Sequence, residues 1–189
     1  MDISYTLIVA LMFITILSFG FANILTSLGE ILDRKNNIAV CTVHLNWILI
    51  LLIIHFNMAW HAVLLATNSN WTYDTFLFVE LGPILAFFAT RILAPSEDKT
   101  GEPEALKLNY TNISQQFFVI LAFIQAYAIG SDLILDRGFT GSGVFNILLI
   151  VLSLLLIKLK TYKIHVYGAV LAWCLILSAI ALRSFGVIS

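Results

Sequence analysis

The chain has 189 residues, 60% hydrophobic and 11% charged, with mean hydropathy +0.98 and net charge −1. A soluble domain carries about a quarter charged residues, so this composition excludes an ordinary water-soluble fold and fits a polytopic membrane protein. No basic block or aromatic-plus-basic module stands in the sequence, which predicts no nucleic-acid partner.

Six apolar runs are long enough to cross about 30 Å of hydrocarbon at ~1.5 Å per residue. They cover 5–32, 38–66, 74–94, 114–135, 141–160 and 163–185. The predicted fold is therefore all-α, a single bundle of six transmembrane helices forming one domain over 1–189. The first run lacks the basic n-region of a signal peptide and is too long for one, so a retained helix is expected. It carries Thr15, Ser18, Ala22, Asn23, Thr26, Gly29, Glu30 and Asp33 at three- and four-residue intervals. Small and hydroxyl residues on one face let membrane helices approach closely. The stripe is expected to be a helix contact or the wall of a hydrated cavity. Glu30 lies at a depth similar to Arg91 at the end of the third run, and a structural ion pair between them is expected.

The second run contains HLNWILILLIIHFNMAWH, residues 44–61. His44 and His55 are eleven residues apart, about three turns, and share a face. Asn46, Asn57 and Trp60 occupy another face, with His61 one turn beyond Asn57. A helix polar on two sides has little room for lipid, so a central position is expected. In the third run, VELGP places Pro83 inside a helix, where it removes a backbone donor, with Glu80 about one turn earlier. A carboxylate inside a membrane segment is a functional-site expectation by default.

The one long linker, 95–112, carries Pro95 and Pro103 and is expected to face the cytoplasm, with a short surface helix in its second half. The fourth run adds Gln125 and Asp132, seven residues apart on one face, and the sixth ends near Arg183. The candidate binding or ion-coupling residues are thus His55, His61, Glu80, Asn57, Gln125 and Asp132. Glu80 is expected to be the nearest acidic partner of His55 or His61.

Sidedness follows from the basic residues. With the N-terminus outside, Arg34, Lys35, Arg91, Lys99, Lys107, Lys158, Lys160 and Lys163 fall in the cytoplasm. Only Arg137 and Arg183, of ten basic residues, fall outside. Both termini are expected outside, and a bacterial inner membrane is the expected location. ILDR recurs at 31–34 and 134–137, closing the first and fourth helices. This raises an inverted three-helix repeat, though the spacing from each helix start differs.

Other chemistry is less supported. His55 and His61, six residues apart, diverge by about 120° on a helix, and no HxxxH or HExxH motif is present. A bis-histidine haem needs two histidines at matching depth on different helices, which leaves His44 with His165. No GxSxG is present. Cys41 and Cys174 sit in apolar runs and read as packing. No metal or cofactor is predicted, and no enzymatic activity is expected.

The leading expectation is binding or passage of a small solute or ion through a polar cavity in the bundle. A haem-based redox or metal-dependent protein using the histidines is one alternative, and a non-catalytic membrane subunit is another. Membrane lipid is the expected partner, with a homo-oligomer or a membrane partner protein beyond it.

The orientation is testable with one cysteine. Gly101→Cys, in a chain lacking Cys41 and Cys174, should resist impermeant thiol reagents in intact cells and react after permeabilisation. Labelling without permeabilisation would reverse the topology.

Overall fold

The computed structural model describes residues 5–33, 38–65, 71–94, 103–135, 141–159 and 161–185. These form α1 (Tyr5–Asp33), α2 (Ile38–Leu65), α3 (Tyr73–Leu93), α4 (Pro103–Ile134), α5 (Gly141–Lys158) and α6 (Tyr162–Ser184), with no strand among them. All six are long and apolar enough to cross a membrane. Predicted and observed boundaries agree within a few residues except at α4. That helix starts at Pro103, because a proline at the first helical position lacks only an N–H that would be unbonded there anyway. Residues 103–112 of the long linker thus belong to α4, and 95–102 lie outside the described residues. So do Arg34, Asp136 and Arg137, the charged ends of the repeated ILDR.

Helix ends follow local chemistry. Thr72 caps α3, its hydroxyl accepting from the Thr75 N–H at 3.2 Å, as a threonine N-cap does. Ala94 ends α3 with ψ 135°, because the following Pro95 disfavours the helical conformation in the residue before it.

Polar cross-ties fix which helices run together. The Trp71 indole donates to the Thr6 hydroxyl at 3.2 Å, and the Asn23 amide donates to the Thr90 hydroxyl at 3.4 Å. These bonds join residues 65 and 67 positions apart in sequence, so α1 and α3 lie parallel in constant register. In the same way, Trp173 donates to Asn46 at 3.0 Å and Arg183 donates to Asn57 at 3.3 Å, with separations of 127 and 126. α2 and α6 are therefore parallel too. α2 packs against α1, α3, α4 and α6, the central position expected from its two polar sides.

The α3–α4 contact is built around the proline. Pro83 has no N–H to offer the Val79 carbonyl four residues earlier. The Tyr127 hydroxyl on α4 donates to that carbonyl instead, at 2.9 Å. Gly82 makes this geometry available, because a Cβ there would fall within the Tyr127 ring. Phe78 stacks on the same ring at 5.4 Å. Nearer the Leu93 end of α3, the fully buried Trp47, Phe117 and Phe118 form an edge-to-face cluster, with Trp47 centroids 5.6 and 4.9 Å from the two phenyl rings.

Helix α1 corrects one expectation. Its buried face is Val9, Ala10, Phe13, Leu17, Gly20, Ile24 and Ser27, whereas Thr15, Ser18, Ala22 and Thr26 point outward. Thr15 and Ser18 donate to their own helix, to the carbonyls of Leu11 and Ile14, both at 2.7 Å. A hydroxyl satisfied four residues back needs no neighbouring helix, so most of the stripe stands off the packing face, with Asn23, bonded to Thr90, its inward member. Glu30 and Arg91 are both exposed, and no ion pair joins them among the described residues. At the helix ends each head group can be solvated separately. Cys174 is likewise exposed rather than packed.

Tyr127→Phe should leave the Val79 carbonyl buried without a donor and destabilise the bundle by about 1–3 kcal/mol. Reversible unfolding in mixed micelles would measure this. An unchanged midpoint would mean that the carbonyl is satisfied in another way.

Candidate functional site

Two adjoining cavities occupy the half of the bundle toward which α2, α4 and α6 run. The larger, about 400 Å³, lies among α2, α5 and α6, with Gln125 of α4 in its wall. Apolar residues such as Ile53, Leu149, Ile176 and Ile180 form much of its surface, and Asn57, Ser142, Asn146 and Arg183 supply polar groups. Phe56, Trp60 and Ile180 are 58%, 61% and 47% exposed, so the cavity opens sideways between helices. The smaller, about 60 Å³, extends between α1, α2 and α4 to His61, Tyr127 and Ser131. Both contain Ile54, Asn57, Gln125 and Asn146 in their walls.

Gln125 is the central polar group. It is 95% buried, at 5% exposure, faces both cavities and makes no hydrogen bond among the described residues. Its carboxamide is not among the fully enclosed unpartnered atoms, so it meets the cavity space, where a ligand or ordered water could bond it. Asn57 is only partly used, its oxygen accepting from Arg183. No described carboxylate pairs with Arg183, which is exposed at the mouth.

The structure thus gathers Asn57, His61 and Gln125 from the predicted set and leaves three residues elsewhere. His55 is fully buried against α1, where a Cβ at Gly20 would collide with its ring. Its Nδ1–H donates to the Leu51 carbonyl at 2.8 Å, and Nε2 has no partner among the described residues. Asp132 is buried and engaged, but lines neither cavity. Glu80 is 6% exposed, and neither carboxyl oxygen is hydrogen-bonded among the described residues. The expected bond from Glu80 to His55 or His61 is therefore not made. Register gives one reason. The α1–α3 ties set Glu80 level with about residue 14 of α1, whereas His55 sits at Gly20. Six residues separate them by about 9 Å along the axis.

At the other end, His165 is held on both sides. The Tyr110 hydroxyl donates to its Nδ1 at 3.0 Å, and its Nε2–H donates to the Leu159 carbonyl at 2.8 Å. His44 bonds the Leu93 carbonyl through Nε2. The Tyr110 ring lies near both imidazoles, with centroids 6.1 Å from His44 and 5.5 Å from His165. The two histidines pin helix ends, and iron ligation by His165 would require breaking one of its bonds. No cluster of three metal-ligating side chains occurs among the described residues.

Ser131, Ser142 and Asn146 were not singled out from the sequence. Asn146 follows a glycine-rich start, GSGVFN, and only its position across from Gln125 gives it meaning. In comparisons with known proteins, the chain matches no family model, no curated protein and no solved structure.

A buried carboxyl with no partner contributes little to stability. Glu80→Gln should therefore unfold at the wild-type midpoint or above it. A loss of more than about 2 kcal/mol, the scale of a broken charge-assisted bond, would reveal a partner.

Proposed function

We propose that this is an integral membrane protein that binds a small solute in the cleft centred on Gln125. Membrane embedding is supported by the outward faces, where Phe19, Leu25, Phe123 and Leu177 are 60%, 63%, 60% and 55% exposed. An apolar surface this extensive is tolerable only in an apolar medium. The basic-residue bias then turns the cleft toward the outside. The observation that carries the binding reading is Gln125 itself, buried, without a hydrogen bond among the described residues and lining both cavities.

The packing favours binding over open passage. Trp47, Phe117, Phe118 and His165 fill the opposite half of the bundle, so the cleft ends blind. Transport through this site requires that half to rearrange. A second reading, a subunit that docks another membrane protein, draws on the outward-facing small and hydroxyl residues of α1. Stoichiometric co-purification would distinguish it.

The test is ligand-dependent stabilisation of the purified protein. A ligand at 100 times its dissociation constant adds about 2.7 kcal/mol, readable as a rise in unfolding midpoint. Gln125→Leu should remain folded and lose the rise. A wild-type protein stabilised by no small solute, with Gln125→Leu simply more stable, would overturn the reading.

A further inference from the structure

Building on that binding reading, we infer that the cleft takes a single-chain anionic amphiphile: a carboxylate head at Arg183 and an apolar tail running inward past Gln125. Three features of the site carry this. Its size, about 400 Å³, is near the low end of pockets that hold one small molecule. Its walls are graded, with Arg183 and Trp60 at the mouth, carboxamides of Asn57, Asn146 and Gln125 on the sides, and Ile53, Leu149 and Ile176 among the lining residues. Among the described residues its only charge is a cation with no described counter-ion, holding one bond to a neutral amide.

Each feature selects part of the ligand. A guanidinium presents parallel N–H donors that match a carboxylate. Arg183 is exposed at the mouth, so an anionic head paired with it stays at the solvent side while an apolar tail is buried in the cleft. The sideways opening between Phe56, Trp60 and Ile180 admits a molecule already dissolved in the membrane, so the ligand needs an apolar tail. The carboxamides offer donors as well as acceptors. They complete the head-group contacts without adding charge, and a cationic amphiphile would meet only repulsion at Arg183.

The test uses Trp60 as the reporter. The full-length protein is placed in phosphatidylcholine nanodiscs and titrated with 12-bromododecanoate, whose bromine quenches indole fluorescence on contact. Saturable quenching is expected, lost in Trp60→Phe, competed by dodecanoate and not by dodecanol. Arg183→Gln should weaken binding by about tenfold or more, the scale of one lost charge-assisted bond. Arg183→Lys should recover part of it, and Arg91→Gln, away from the cleft, should change nothing. Equal competition by dodecanol, or an unaltered Arg183→Gln titration, would overturn the anionic head while leaving the cleft as a binding site. Absence of any saturable quenching in wild type, together with no solute-dependent stabilisation, would remove both. If phosphatidylglycerol discs abolish the quenching, a bilayer phospholipid holds the site and the free amphiphile is overturned.

Discussion

Pro83 leaves the Val79 carbonyl without its helical donor, and in an apolar interior that oxygen has to find another. The Tyr127 hydroxyl supplies it, and its ring fits only because Gly82 has no side chain. One missing N–H thus fixes the rotation of α4 against α3. Gln125, two residues earlier, stands about 200° around the helix from Tyr127. Locking the tyrosine toward α3 turns the glutamine toward α2, α5 and α6, where the larger cleft lies.

The remaining helices are held by a few polar bonds between surfaces that are otherwise apolar. Were these helices set in an apolar medium, burying leucine would gain little over leaving it outside, and packing shape and directed hydrogen bonds would decide alignment. The two parallel pairs, α1 with α3 and α2 with α6, each carry two such bonds at nearly constant register. The Arg183–Asn57 bond belongs at once to this scaffold and to the mouth of the cleft.

Most buried polar groups in native proteins are bonded, which gives the exceptions their interest. His55 Nε2 and both Glu80 oxygens are enclosed without partners among the described residues, and neither residue lines either cavity. Gln125 differs, since its unbonded amide meets open space. An orphaned group in tight packing is a standing cost, whereas one facing a cavity has room for a bonding partner.

The sequence by itself determined what depends on composition and length. Six long apolar runs announce six spanning-length helices, and Pro83 announces a lost backbone bond. The polar second helix announced a central one. Asn57, His61 and Gln125 were recognisable because polar side chains are conspicuous among apolar ones. Facing is a different matter. In a chain apolar on every side, hydrophobic periodicity does not distinguish the packed face from the outer one. Thr15, Ser18, Ala22 and Thr26 of the α1 stripe pointed outward while Asn23 turned in to Thr90, and Glu30 did not meet Arg91. Pairing between helices is decided by register across distant segments. Only the tertiary structure separated Glu80 from His55, placed Tyr127 beneath Val79 and set Asn146 and Arg183 around Gln125.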